Sequence, residues 1–166
     1  MNKRPQFAVE IYHDVAPYLA GVSEKDFFLD ADKLILAWNA ATEWTLDTFH
    51  GRIPPREPTA APNSYGHLIC LGAPIRYSDS AEPNISPAAD SLEDAIRLLE
   101  DARGMDFTAC PIFRQYAELS ARLREVYPSS PAIGGLVAEG PLTSAVLYRG
   151  TDFYMDMIDE PERAAY

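Results

Sequence analysis

The sequence predicts an α/β fold, because two strand-like segments are separated by long amphipathic patterns. The segment Phe7–Tyr12 is rich in aromatic and β-branched residues and ends at His13, which predicts a first strand. The segment Ala132–Ala138 is apolar on both faces and contains two adjacent glycines, a pattern typical of a parallel strand covered on both sides. Between them, apolar residues recur every three or four positions over residues 30–49, which predicts a long helix.

Local signals predict where further elements begin and end. Ser23 is followed three residues later by Asp26, a pairing that predicts a helix N-cap. Pro141 suits the first position of a helix, because its fixed φ is helical and its missing N–H would have no partner there. Four prolines between Gly51 and Asn63 predict an extended loop. Further predicted elements are a short helix or strand over 64–71 stopped by Gly72, a brief edge strand Ile75–Tyr77, a loop over 78–87, and helices over 91–103 and 113–127.

Charge and composition exclude several classes of partner. The 166 residues include 14 Lys and Arg against 25 Asp and Glu, a formal charge of −11, which repels nucleic-acid phosphates and anionic lipids. No apolar run approaches the roughly 20 residues of a membrane span, and the N-terminus lacks the apolar core of a signal peptide. A cytoplasmic protein with neither nucleic-acid nor membrane partners is therefore expected. Cys70 and Cys110 form no C-x-x-C pair, which predicts free thiols.

Glu139, Gly140 and Thr143 form the first candidate site, where the predicted strand passes into the helix that starts at Pro141. The amides of Gly140 and its neighbours favour an anionic ligand at a helix N-terminus. Burial could raise the pKa of Glu139 into the acid–base range; the alternative is a solvated carboxylate that complements the helix dipole. The hydroxyl of Thr143 binds the substrate or, alternatively, its own backbone.

His13 and Asp14 form the second candidate site, just after the first predicted strand. At the carboxyl end of a strand in an α/β fold these side chains would lie at the edge where sites are built, and an imidazole there can carry a proton or bind a metal. The alternative is that His13 packs a loop, as His67 is expected to pack in the core. His13 and Glu139 are the catalytic candidates and Asp14 is a substrate-binding candidate. No set of residues has metal-ligand spacing, and no P-loop, complete G-x-G-x-x-G, nucleophile elbow or H-E-x-x-H occurs.

Three patches, in order along the chain, resemble the uroporphyrinogen decarboxylase superfamily. In that family a strand leads into a Gly-Pro-Leu-Thr-like turn, then a helix ending in Arg-Gly, then a helix closed by an acidic residue, proline and glutamate. The patches here are Leu19–Ser23 with Phe28 and Asp30–Lys33; Leu71–Tyr77; and Gly140–Thr143 with Arg149, Gly150 and Asp159–Glu162.

The resemblance implies a TIM (β/α)₈ barrel. Such a barrel needs roughly 250 residues, so residues 1–166 are interpreted as the truncated N-terminal part of a single barrel domain. The family's pocket tyrosine falls near Leu147, or at Tyr148 if one residue is gapped, which makes Tyr148 a substrate-binding candidate. The alternative is a complete small α/β protein.

Two branches of the family imply different activities. Its decarboxylases have an arginine-rich first loop and an Asp after the second strand; here the first loop has no arginine, and no Asp lies between His50 and Ser78. A polyanionic tetrapyrrole would therefore be poorly paired. The favoured reading is the branch that moves a methyl group from a corrinoid protein (methylcobalamin) to a thiol acceptor.

The favoured branch also implies cofactors. In that branch a His-x-Cys pair and a distant Cys hold the zinc, and these ligands are expected beyond this chain. Zinc and a corrinoid are therefore expected only for the complete protein. The fragment alone is expected to be inactive. The alternatives are a uroporphyrinogen decarboxylase of porphyrin and heme biosynthesis, and a non-catalytic half-barrel that pairs with a partner, for example as a homodimer.

Overall fold

The computed structural model describes residues 12–60, 65–133 and 136–165. Within these ranges the chain is mostly helical, with one antiparallel pair of two-residue strands. None of the helices in this part of the chain combines the length and apolar character needed to cross a bilayer. The helices are α1 (Val15–Ala20), α2 (Glu24–Leu29), α3 (Ala31–Phe49), α4 (Gly66–Cys70), α5 (Leu92–Asp101), α6 (Pro111–Val126), α7 (Pro141–Arg149), α8 (Phe153–Asp159) and α9 (Pro161–Ala164); a 3₁₀ turn spans Phe107–Ala109.

The chain divides into two compact units. Unit 1 comprises Met1–Ala61, Asp79–Glu82 and Leu119–Ala132, and unit 2 comprises Pro62–Ser78, Pro83–Glu118 and Ile133–Tyr166. Helices α1, α2 and α3 therefore belong to unit 1, and α4, α5, α7, α8 and α9 belong to unit 2.

Unit 1 is built around Trp38 of α3. This side chain is almost fully buried together with Phe27 of α2, and the two ring centroids lie 6.4 Å apart. The Trp38 indole N–H donates to the carbonyl of Thr59 at 2.9 Å, which satisfies its only polar group. The core of unit 1 is therefore aromatic and joins α2, α3 and the proline-rich segment after α3.

The helix starts of unit 1 follow the sequence prediction. Ser23 Oγ accepts a hydrogen bond from the Asp26 amide at 3.1 Å and caps α2. Asp30 Oδ1 accepts from the amides of Asp32 and Lys33 and caps α3. These bonds satisfy amides that have no partner within the helix, so the predicted helix over residues 30–49 is confirmed.

Unit 2 is built around Tyr148 of α7. Its ring is buried in a cluster with Leu68, Ala73, Ala89 and Ala95, and its backbone carbonyl accepts from the amide of Ala88 at 2.8 Å. The strands β1 (Ile75–Arg76) and β2 (Asn84–Ile85) pair with Ile75 opposite Ile85. The edge strand predicted at Ile75 is thus confirmed, and the loop predicted over 78–87 contains its partner strand.

The other predicted helices are also found. Ser91 caps α5, α6 lies within one or two residues of the predicted range, and Pro141 is the first residue of α7. Of the two readings for 64–71, the helix is correct, and Gly72 follows it with a φ of 99°.

The strand predicted over Ala132–Ala138 is wrong for the residues described. Residues 132–133 and 136–138 belong to no strand, and Val137 is exposed; Gly134 and Gly135 lie outside the described residues. A covered parallel strand needs neighbouring strands for its backbone groups, and the only sheet in the described residues is the antiparallel β1–β2 pair. Of the first predicted strand only Tyr12 is described, outside any strand. The described residues, which are mostly helical with two short strands, are therefore only weakly consistent with the predicted α/β class.

Gly150, which ends α7, carries the first stability prediction. Its φ of 91° and ψ of 178° lie in a region that is essentially restricted to glycine, and an added Cβ would lie 3.4 Å from Pro87 Cγ. We expect Gly150→Ala to lower the free energy of unfolding by about 1–3 kcal/mol, measured by urea denaturation.

The matched control is Gly140→Ala at the other end of α7. Gly140 has a φ of −61°, and its added Cβ would meet no atom within 4 Å, so a change within about 1 kcal/mol is expected. Equal losses for the two variants would contradict the role assigned to the Gly150 backbone.

Candidate functional site

The candidate residues from the sequence fall into two groups, one in each unit. His13 and Asp14 belong to unit 1, and Glu139, Gly140, Thr143 and Tyr148 belong to unit 2. Each group gains residues from distant parts of its own unit.

His13 lies between two carboxylates. Its Nε2 is 2.7 Å from Glu82 Oε1 and 3.3 Å from Asp14 Oδ1. Because Nε2 carries at most one proton, it can donate to only one of them at a time. One ligand atom from each of the three residues lies within 4.8 Å of the others.

Helices α1 and α2 position this cluster. Asp14 is the N-cap residue of α1, yet its side chain makes no capping hydrogen bond, and its carboxylate lies beside His13 instead. The His13 ring packs edge-on against Phe28 of α2 at 6.4 Å. The Glu24 amide, at the start of α2, donates to the Asp79 carbonyl at 3.1 Å, which ties the segment that carries Glu82 to α2.

Glu24 lies near this cluster and interacts with it electrostatically. Burial is the main cause that raises the pKa of Glu24, and the charges of Glu82 and Asp14 raise that pKa further, while His13 lowers it. Glu24 Oε2 is buried without a hydrogen-bond partner in the structure. Sequence reasoning missed Glu24 and Glu82, because a first-turn glutamate usually complements the helix dipole and nothing in the sequence relates Glu82 to His13.

The second group surrounds the start of α7. Gly140 is its N-cap residue, and the Gly140 carbonyl accepts from the Ser144 amide at 2.9 Å. Gly140 and the Thr143 side chain are exposed and Glu139 is half-buried. The glycine and threonine thus face solvent, where a ligand can reach them.

Ser144 and His67 join this group, although neither was a predicted site residue. Ser144 Oγ lies 2.9 Å from His67 Nε2, and the hydroxyl donates to the Glu139 carbonyl at 3.3 Å. Burial lowers the pKa of His67, opposed by the Val137 backbone and the Glu139 charge. A neutral imidazole is therefore held next to a hydroxyl and near a carboxylate, which is a chemically suitable set for moving a proton. No local signal connects His67 with Ser144 in the sequence.

Tyr148, the substrate-binding candidate on α7, lies in the core of unit 2. It is buried, its hydroxyl donates to the Leu71 carbonyl at 2.8 Å, and burial raises its pKa. Its neighbour Leu147 lines an open cavity of about 480 Å³ in unit 2, together with Arg149 and Asp90. Tyr148 itself lines a smaller cavity of about 90 Å³ in unit 2, together with Leu92 and Phe153. Both positions that the resemblance allows for a pocket residue therefore lie on cavity walls.

Cys70 and Cys110 are free, as predicted. Burial and the neighbouring Cys110 thiol raise the pKa of Cys70 to about 12. Cys70 is therefore a protonated, weakly nucleophilic thiol near neutral pH, although the two cysteines interact in the fold.

No protein-family model, curated protein or solved structure matches this chain. Functional inference therefore rests on the geometry of these residues and on the sequence resemblance.

The lowered pKa of His67 makes stability depend on pH. Burial holds the pKa of His67 in the folded state below its ordinary value of 6.5. As pH falls below 6.5, the unfolded state therefore binds a proton more readily than the folded state, and the free energy of unfolding decreases; above that pH this loss is absent. We expect His67→Gln to reduce the acid-induced loss of stability, measured by urea unfolding at about pH 7.5 and about pH 5.5. The exposed His50→Asn is the control, and an identical pH dependence in wild type and His67→Gln would contradict the prediction.

Tyr148→Phe tests whether the tyrosine hydroxyl is structural. The substitution leaves the partly buried Leu71 carbonyl without the tyrosine donor, at an expected cost of about 1–3 kcal/mol of unfolding free energy. Tyr154→Phe, which alters an exposed tyrosine of α8, should leave unfolding unchanged. Unchanged stability for Tyr148→Phe together with a raised KM would instead support the substrate-binding role expected from the sequence.

Proposed function

We propose that this chain is part of an enzyme of the uroporphyrinogen decarboxylase superfamily, in the branch that transfers a methyl group from a corrinoid protein to a thiol or similar acceptor. The main support is the succession of elements from α7 to α9. The resemblance implies a helix after Gly-Pro that ends at Arg-Gly, and a second helix closed by an acidic residue and proline. Helix α7 runs Pro141–Arg149, α8 runs Phe153–Asp159, and α9 begins at Pro161.

The early patch gives further support. Helix α1 ends at Gly21 with a φ of 64°, α2 is capped by Ser23 and α3 by Asp30. These are the residues that carry the resemblance in this part of the chain. The parallel strands of a barrel remain part of the proposal, because the described residues contain only the antiparallel β1–β2 pair.

The charges of the candidate residues favour methyl transfer over tetrapyrrole decarboxylation. Asp14, Glu24 and Glu82 surround His13 with carboxylates, which would repel a polycarboxylate substrate. In unit 2, Arg149 lines the cavity, but its Nε lies 2.9 Å from Asp156 Oδ2. A cation that is already paired offers little to a substrate carboxylate.

On this proposal Glu139 serves as the acid–base group. His67 and Ser144 position it, and Gly140 and Thr143 offer an amide and a hydroxyl to the substrate. His13 and Asp14 remain the candidates in unit 1. The superfamily's His-x-Cys zinc pair has no counterpart among the 166 residues, so the residues present do not fit that zinc site and no step is assigned to zinc or the corrinoid.

The test uses the protein encoded by the complete reading frame that contains this chain. Demethylation of methylcobalamin by a small thiol, followed by absorbance, should depend on the enzyme, whereas uroporphyrinogen should release no carbon dioxide. Glu139→Gln should lower kcat about 10²- to 10⁴-fold, while Glu118→Gln, which removes an exposed carboxylate of α6, should leave kcat unchanged.

Two results would contradict the assignment. Carbon dioxide release from uroporphyrinogen without methyl transfer would support the decarboxylase instead. Unchanged turnover in Glu139→Gln would remove Glu139 from the mechanism.

A second candidate, a non-catalytic half-barrel that needs a partner, is favoured by the surface of α8. Tyr154, Met155 and Ile158 of this helix are at least half exposed, and exposed apolar groups of this kind occur at protein interfaces. This candidate predicts a dimer of the 166-residue chain in sedimentation experiments and no activity in the complete protein. A monomer would contradict it.

A further inference from the structure

We propose that His13, Asp14 and Glu82 of unit 1 form a binding site for a divalent transition-metal cation, most suitably zinc. The inference is independent of the methyl-transfer proposal, since it concerns binding of the metal alone and uses residues that the superfamily's zinc motif does not contain.

The distances between donor atoms are close to those around a bound metal. Zinc bonds to nitrogen and oxygen ligands are about 2.0–2.2 Å long, so neighbouring ligand atoms around a tetrahedral ion lie roughly 3.3–3.6 Å apart. His13 Nε2 lies 2.7 Å from Glu82 Oε1 and 3.3 Å from Asp14 Oδ1. The distance between His13 and Asp14 already suits a shared ion, and the distance between His13 and Glu82 would reach this range after a small movement of the exposed Glu82 side chain.

Glu24 gives an independent reason to expect a cation. Its Oε2 is buried and has no hydrogen-bond partner in the structure, although buried carboxylate oxygens are normally paired. The charges of Glu82 and Asp14 act on this carboxylate unfavourably. A divalent ion held by His13, Asp14 and Glu82 would neutralise part of this repulsion on the neighbouring Glu24.

Access and donor type indicate the class of ion. The Asp14 and Glu82 side chains are about half exposed, at 54% and 53%, so a cation can enter from solvent. An imidazole beside carboxylates, without a thiolate, suits zinc, manganese or iron(II), whereas magnesium and calcium prefer oxygen ligands alone.

The position of the cluster is held by packing. Glu24 and Phe28 lie four residues apart on α2 and hence on one face of that helix. The Phe28 ring packs against the His13 ring, and Glu24 interacts electrostatically with His13. The Glu24 amide fixes the Asp79 carbonyl, three residues before Glu82. A metal would therefore bind to side chains already brought together, with little ordering required.

The test is titration of the untagged, chelator-treated full chain with zinc chloride by calorimetry, and with cobalt(II) followed by its visible d–d absorption. We expect one ion per chain and a cobalt spectrum without thiolate charge transfer. His13→Gln and Glu82→Gln should each weaken zinc binding by at least about tenfold, and magnesium and calcium should compete poorly.

Asp79→Asn is the matched control, because it removes the same charge from the same segment but from outside the cluster. It should leave zinc affinity unchanged. Circular dichroism of the metal-free variants establishes that their helices remain intact, and the wild-type cobalt spectrum tests the donor set without any substitution.

Several outcomes would overturn the inference. They are the absence of binding, a thiolate band that places cobalt on Cys70 or Cys110, equal affinity for calcium and zinc, and an equal loss of affinity in Asp79→Asn and Glu82→Gln. The first would leave His13 as the centre of an ion-pair cluster only.

Discussion

Burial of Trp38 is the interaction on which the His13 cluster depends. Trp38 packs against Phe27, and Phe27 packs edge-on against Phe28 at 5.4 Å. Phe28 in turn supports the His13 ring, and the same helix presents Glu24. Removal of the indole would leave a large cavity beside α2, at a typical cost of about 3–5 kcal/mol, and would loosen the helix that presents Phe28 and Glu24 to the cluster.

Tyr148 has the corresponding role in unit 2. Its ring fills the core, its hydroxyl binds Leu71, and its carbonyl binds the segment before α5 through the Ala88 amide. These contacts fix α7, so that Ser144 meets His67 and Gly140 and Thr143 face solvent. Tyr148, a predicted substrate-binding residue, thus also anchors the helix that presents the other candidates.

Both groups place titratable side chains in partly buried, polar surroundings, but with different charge. Three carboxylates act on His13, whereas His67 meets a hydroxyl and one carboxylate. The first arrangement favours a cation, and the second favours a neutral imidazole. The start of α7 at Pro141, and with it the position of Gly140, could be predicted from the sequence. The strands after which His13, Asp14 and Glu139 were expected are not found in the described residues. The partners Glu24, Glu82, His67 and Ser144 could not be predicted, because they come from distant segments.

The sequence by itself determined the helix boundaries. Ser23, Asp30, Ser91 and Pro141 act through hydrogen bonds or fixed dihedrals within three residues, so local chemistry is sufficient. Only the tertiary structure decided the rest. The apolar segment 132–138 lacks strand structure in its described residues because a strand needs partners from elsewhere, and Glu82 meets His13 across 69 positions of sequence. Contacts between segments distant in sequence follow from tertiary packing, which no local sequence pattern predicts.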